Sequence, residues 1–429
     1  MNTSILDSLG TSTIISTRSA VSIFLASPIM SIIVSILGTQ AISARIVETK
    51  APIKKNLGKG KDYGNLIIFP AGIDVHVHFR EPGFEYKEDF FSGSKAAAMA
   101  GITCILDMPN NKPAIINKKY FDEKVKKIKN KACIDYGLYG GIKDKVEEMD
   151  CIAYKIFLSK DNEMFCPINK LKEILISVKK LRKPLAIHAE LEDFIDREKA
   201  KNLEEYNKKR ALEGETEAIK KILEINNQIN AKIHFCHVTA KKSIQLINKK
   251  ASFGVTLHHL LFSAKNKFRK EGMGKVNPPL RSYKIRKEIY EMLISNKIFI
   301  LESDHAPHLL EEKEDFVSAP PGMPGIDALL PIMLYKVKKG EINLDLLYRM
   351  ICKNPSEFFG INKGSIEIGK DADFIIIDFK KIDKLKPLSK CGWSCYEGMP
   401  CIYPKHVYLR GEKIVDNGEF IGSKGKMIK

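Results

Sequence analysis

A single tryptophan, nine cysteines without one Cys-x-x-Cys pair, and no uninterrupted apolar run of membrane length define what this chain lacks. The closest cysteine spacing is Cys391, Cys395 and Cys401, so neither a disulfide scaffold nor a zinc-ribbon pattern is present. An odd cysteine count in 429 residues fits a reducing compartment, and a cytoplasmic protein is expected. Acidic residues are the minority, 52 against 70 Lys and Arg, a net charge of +18. The basic residues are not clustered. They interleave with Glu along helical stretches such as EKVKKIKNK, and no aromatic-interleaved basic motif occurs, so a solvated surface is expected rather than nucleic-acid binding. A positive field would still attract small anionic substrates.

The first 49 residues differ from the rest. Their only basic residues are Arg18 and Arg45, and Ser19 to Ala44 is uncharged. A transmembrane helix needs about 20 mostly apolar residues, but Ala20 to Leu37 is broken by Ser22, Ser27, Pro28, Ser31 and Ser35. A signal peptide would want a basic start, whereas Asp7 precedes Arg18. Neither a membrane anchor nor a leader is expected. The segment 1–61 reads as atypical, even as a stretch from another reading frame joined upstream.

From Asn65 on, apolar β-branched runs recur at Gly72–Phe79, Ile102–Pro109, Ala132–Gly141, Ile152–Ser159, Pro184–Glu190, Lys232–Thr239, Phe253–Leu260 and Lys297–Asp304. Stretches of helical period separate them. Eight alternating βα units predict an α/β fold, a (β/α)8 TIM barrel over 62–360, with a doubly wound sheet as the alternative. Short strand-like runs between Gly and Asp turns after 360 predict a small β-sandwich domain over 361–429. A tail alone makes a small domain, so strands from the N-terminal side are expected to join it, the sandwich being formed by the chain termini.

Nine of ten histidines lie between His76 and His308, most at predicted C-terminal strand ends, where barrel enzymes place their sites. In IDVHVHF the two-residue period puts Asp74, His76 and His78 on one face, and two imidazoles so spaced can share a metal ion, zinc being suited. Two satisfied structural histidines would read the same. Lys155 sits mid-run in CIAYKIFLS, where a bare ammonium is costly to bury. It should be paired, expelled to the strand end or modified; an amine with a depressed pKa could take up carbon dioxide as a carbamate. His188 ends a fifth strand. His234 and His237, three apart, should face opposite ways, so only one can be a ligand. Asp304, in ESDHAPH, reads as a ligand or general base, or as a helix cap.

The segments DVHVHFREPGFEYKEDF, DMPNNKP, IHAE, HVTA, VNPPLR and SDHAPHLLEEK, in that order, resemble the dihydroorotases of the amidohydrolase superfamily. The resemblance runs from about Asp62 to the C-terminus. It implies reversible cyclisation of N-carbamoyl-L-aspartate to L-dihydroorotate and water in pyrimidine synthesis. It further implies two zinc ions: one on His76, His78 and Asp304, the second on His188 and His237, with N6-carboxylated Lys155 bridging them. Asp304 would move the proton. Arg80, Asn110 and His308 would hold the substrate carboxylate, with His78, Asn277, Pro321 and Gly322 also against the substrate; His234 would be no ligand, and His258 and His259 structural. Two departures stand out. Glu302 replaces the usual Gly or Ala before Ser-Asp, and no N-terminal strands are recognisable before Asp62. Alternatives are an allantoinase or hydantoinase with the same metal site, and an inactive scaffold partnering a carbamoyltransferase. All six ligand positions are filled, which speaks against the scaffold; a carbamoyltransferase association is left as a possible partnership.

Overall fold

The computed structural model describes residues 61–247 and 251–429, with side chains from residue 63 on. Before these it describes only the backbone of five short strands, Ser4–Leu6, Ser12–Ser16, Ala20–Val21, Met30–Leu37 and Ala41–Glu48. How segment 1–61 packs, and whether it belongs to the β domain, lies outside the described residues. No helix among those described is long and apolar enough to cross a membrane.

Eight parallel strands form the centre: Gly72–Val77, Ile102–Asp107, Asp135–Gly141, Ala153–Phe157, Leu185–His188, Ile233–Phe235, Ala251–Thr256 and Ile300–Glu302. Each pairs with its neighbours in sequence order, as consecutive βα units require. Seven fall within the runs read from sequence, trimmed at the ends; the seventh strand starts at Ala251, two residues before its run, and ends at Thr256 where a short helix takes over. The sheet closes where a parallel bridge joins Val77 to His305 and the His78 N–H donates to the His305 carbonyl at 2.8 Å. The strands are buried on both faces, which is why they read as apolar runs rather than alternating ones. Outward residues such as Ile105, Tyr136, Ile156 and Ile187 pack beneath the helices. Inside the barrel, Ile73, Val75, Cys104, Leu106, Ala153, Ala186 and Ile300 form a separate cluster, with Phe359 and Ile361 against it.

The surrounding helices carry local stop and start signals. Phe90–Met99 begins at a capping box in which Asp89 accepts from the Ser92 N–H and the Ser92 hydroxyl faces back to the Asp89 N–H. Leu212–Ile229 ends on Asn230 in the left-handed region.

After the barrel, Phe374–Ile377 pairs antiparallel with both Ile67–Pro70 and His406–Leu409, and Glu412–Asp416 and Glu419–Phe420 continue the sheet. A strand from the N-terminal side thus joins C-terminal strands, as the shortness of the tail demanded. Phe69, Ile375, Ile377 and Val407 join the main core, while Tyr63, Ile68, Phe374, Ile376 and Tyr408 pack on the other side of the sheet. Whether a second layer completes a sandwich lies outside the described residues. The joint to the barrel is ionic: buried Lys363 contacts Asp135 of the third barrel strand at 2.7 Å, Asp373 at 2.8 Å and Asp371 at 3.0 Å.

Candidate active site at the barrel mouth

The C-terminal strand ends surround an open cavity of about 110 Å³ lined by His76, His78, Arg80, Asn110, Phe157, Asp161, Asn162, His188, His237, Asn277, Asp304, Ala306, Pro321 and Gly322. Ten of the twelve side chains singled out in the sequence are in that lining. Lys155 and His308 are not. Lys155 is fully buried beneath the histidines, where its Nζ donates to the Cys236 thiol at 2.9 Å. His308 stands behind Arg80, 3.0 Å from its Nη2.

The first strand and the last build the acidic half of the site. The pairing of the first strand is irregular between Asp74 and Val77. His78 Nε2 lies 3.0 Å and His76 Nε2 3.3 Å from one carboxylate oxygen of Asp304. These three offer ligand atoms within 4.8 Å of one another. The other nitrogen of His78 meets Asn110 Oδ1 at 2.7 Å. The electrostatics are those of a centre with excess negative charge. Burial opposes a proton on His76, yet Asp304 and Glu302 raise its pKa to about 10. Burial pushes His78 down to about 4 against the pull of Asp304. For Asp304 burial acts upward, but His76 and His78 hold it well below the usual carboxylate range.

His188 and His237 form the other half. His188 Nδ1 faces His237 Nε2 at 3.1 Å. The far nitrogen of His188 donates to Glu190 at 2.7 Å, and Glu190 is gripped by Arg210 at 2.7 Å, which in turn reaches Asp161 at 2.6 Å. Burial would raise Glu190, but Arg210 and His188 pull it down to about 2, so it remains an acceptor that turns Nδ1 of His188 toward His237. Glu190 went unread in the sequence, although the two-residue period of IHAE places it on the side of His188.

The parity argument for His234 and His237 does not hold in the fold. The strand stops at Phe235, and His237 adopts φ 38°, so its direction is set by a bend and not by alternation. His237 turns to the mouth, while His234 points deeper, meeting Ser252 at 2.9 Å and Glu302 at 3.3 Å. Arg80 and Asp304 also lie in the left-handed region, at φ 62° and 46°. Such backbone costs of order 1–3 kcal/mol per residue for side chains with a Cβ, and three instances at one mouth mark a site held by its surroundings.

Glu302 finds its place through Gly254 on the adjacent strand, where an added Cβ would stand 2.3 Å from the Glu302 carboxyl carbon. Its carboxylate accepts from the His237 N–H at 2.6 Å and lies 3.5 Å from His76 Nδ1. The departure from the Gly or Ala pattern therefore puts a fixed negative charge under both halves of the site. His259 meets Thr256 at 2.6 Å and the Pro278 carbonyl at 3.1 Å, a purely structural setting.

Imidazole nitrogens and a carboxylate converging at one buried mouth fit zinc better than a hard oxygen-seeking cation. The Nε2 atoms of His76, His78 and His237 face this mouth, whereas Nδ1 of His76 faces the Glu302 carboxylate at 3.5 Å and Nδ1 of His237 has no hydrogen-bond partner among the described residues.

The amidohydrolase family profile matches residues 67–418. The dihydroorotase of Methanosarcina acetivorans is 34% identical over 409 residues, covering 85% of this chain and 87% of that protein. That of Thermoplasma acidophilum is 36% identical over 385 residues, covering 86% and 90%. Among solved structures, L-hydantoinase (dihydropyrimidinase) from Arthrobacter aurescens is similar with a TM-score of 0.82 at 25% identity, over 90% of this chain and 96% of that one. A D-hydantoinase at 24% identity and a TM-score of 0.79 shares the fold. With the family match spanning residues 67–418 and the relatives covering 85% or more of the chain, the chain belongs to the amidohydrolase family and is a cyclic amide hydrolase.

Proposed function

We propose that the chain is a dihydroorotase, interconverting N-carbamoyl-L-aspartate and L-dihydroorotate in pyrimidine synthesis. The observation that carries this reading is the buried Arg80 fork in the same cavity wall as the His76–His78–Asp304 cluster. An arginine whose own hydrogen bonds leave part of its fork unsatisfied suits a ring bearing a carboxylate, which dihydroorotate has and a plain hydantoin lacks. The dihydroorotases at 34% and 36% identity support the same choice.

The residues divide into roles. His76, His78 and Asp304 would hold one zinc and His188 and His237 a second. Lys155, buried with no carboxylate paired to it among the described residues, fits the bridging place once carboxylated. When bound, the two ions would acidify the attacking water and polarise the ring amide carbonyl. Asp304 takes the proton from that water as its oxygen bonds to the carbonyl carbon, then returns it to the ring nitrogen as the carbon–nitrogen bond breaks. Cyclisation runs the same transfers backwards. Arg80 and Asn110 fix the substrate carboxylate with His308 behind Arg80, and Asn277, Pro321 and Gly322 line the ring edge.

The test is hydrolysis of dihydroorotate beside allantoin and hydantoin, with metal analysis of the active protein. Preference for dihydroorotate and about two zinc per chain are expected. Preference for hydantoin would favour the second reading, which the L-hydantoinase likeness supports. Clearly less than one zinc per active chain would overturn the binuclear centre.

A further inference from the structure

His308 has three polar neighbours within hydrogen-bond distance and only two ring nitrogens; a fourth, the Glu312 carboxylate paired with Lys87, lies 3.7 Å from Nδ1. Nδ1 lies 3.0 Å from the Lys87 ammonium, while Nε2 lies 3.0 Å from Nη2 of Arg80 and 3.1 Å from the Pro321 carbonyl oxygen. Lys87 is buried and pairs with Glu312 at 2.7 Å. Burial, then Arg80, Lys313 and Lys87, hold His308 well below the usual histidine range, so the ring is neutral. A neutral imidazole has one N–H and one lone pair, whereas the ammonium and the guanidinium can only donate.

Two tautomers are open, and counting contacts separates them. With the proton on Nδ1, its N–H opposes the Lys87 ammonium, and the Nε2 lone pair opposes the Pro321 carbonyl. Only the Arg80 contact is then satisfied. With the proton on Nε2, Nδ1 accepts from Lys87 and Nε2–H donates to Pro321. Only the Arg80 contact is then left unmet. The second arrangement leaves one mismatch where the first leaves two, each costing on the order of a lost buried hydrogen bond. It also leaves the Arg80 Nη2–H facing a ring N–H already spent on Pro321, so the guanidinium donor finds no acceptor on His308. Gly322 keeps that edge clear: a Cβ there would come within 3.1 Å of His308 Cδ2.

We propose that Lys87 is a positioning residue for substrate choice: by donating to Nδ1 it keeps His308 in the Nε2–H form, in which the ring donates to Pro321 and cannot accept from Arg80, so that the Arg80 fork stays free for the substrate carboxylate. The inference rests on the dihydroorotase reading for the identity of that carboxylate, and on geometry alone for the tautomer. Without Lys87, His308 can turn its Nε2 lone pair to Arg80, and the two groups satisfy each other instead of an anion.

Lys87→Met and Lys87→Arg are compared on dihydroorotate, in the native chain and beside His308→Asn, with zinc content and Tm as controls. For Lys87→Met, KM is expected to rise about ten-fold or more, with kcat within about three-fold and zinc unchanged. Arginine should bring KM back to within about three-fold. In the His308→Asn background the Lys87→Met effect should fall below about two-fold, because the two residues act as one unit. An undiminished effect there would overturn the inference. The tautomer is read separately from long-range ¹H–¹⁵N correlations of the histidine-labelled zinc-loaded enzyme, which needs only the native Lys87. Protonation of His308 at Nε2 is expected, and at Nδ1 would overturn the proposal whatever the enzyme hydrolyses. The Nε2–H form in an enzyme that spares dihydroorotate would sink the substrate reading alone.

Discussion

At the scale of single residues, this site is governed by what buried polar groups can and cannot satisfy. Arg80 spends one donor on the Pro307 carbonyl at 3.0 Å, has Nη2 beside His308 at 3.0 Å, and lines the cavity with its planar fork. Arg80→Lys retains the charge but loses the fork, so KM for dihydroorotate should rise by a factor on the order of ten while kcat changes less. Unchanged kinetics would put the carboxylate elsewhere. Glu302 and Gly254 make a second residue-scale case, because one exists by the other's lack of a side chain. Gly254→Ala should destabilise the native chain by about 1–3 kcal/mol through overpacking. In Glu302→Ala the same substitution should be nearly neutral, since the clashing carboxylate is gone. Denaturant unfolding of the four proteins measures the coupling, and simple additivity would mean that the two do not share the space.

At the scale of elements, the informative contact is the one between the third barrel strand and the segment leading to the C-terminal sheet. Lys363 there is buried among Asp135, Asp371 and Asp373, and Arg410 adds a further ion pair to Asp135. Burial disfavours its charge, but Asp373 and Asp135 raise its pKa above the ordinary lysine value. Removing one partner of a buried ionic cluster strands the others, at about 3–5 kcal/mol. Lys363→Met should therefore lower the melting temperature strongly while leaving KM for the ring substrate nearly unchanged, since the joint is far in structure from the barrel mouth. A large change in KM with an intact melting curve would show the joint to be coupled to the site.

At the scale of the whole molecule, stability carries a cost beside the Pro320–Gly322 turn at the cavity rim. Lys313 is buried with only backbone carbonyls as acceptors, Pro320 at 2.6 Å and Lys275 at 3.4 Å. Burial lowers its pKa to about 7, against 10.5 for an ordinary lysine. Between those values the unfolded chain binds the proton and the folded one does not, so this group makes stability rise with pH across about 7 to 10.5. Below about 7 its full penalty is present, and above 10.5 none remains. Replacing Lys313 by Met should flatten that slope, making the variant gain on the native chain as pH falls from 9.5 to 6.5. Melting temperatures at three pH values check it; parallel pH curves for the two proteins would contradict it.

The order of the eight barrel strands and the closure of their sheet were legible because βα alternation leaves few ways to bury parallel strands. His76, His78, His188 and Asp304 were legible for a related reason, since each lies at or just beyond a strand end and strand ends share one mouth; Arg80 and Asn110 were read only from the family resemblance. What the chain's letters could not decide is where regular geometry stops. His237 leaves its strand at φ 38°, which no two-residue count anticipates. Glu302 looked like an intrusion until Gly254, 48 residues earlier, was seen to make room for it. Lys87 and Glu190 were plain charged letters in sequence; they matter because packing places Lys87 against one nitrogen of His308, and Glu190 against one nitrogen of His188. Local sequence sets which elements form and which side of each strand faces inward, through short-range sterics and apolar periodicity. The pairing of buried donors with acceptors across distant strands depends on three-dimensional placement, and only the tertiary structure decided it.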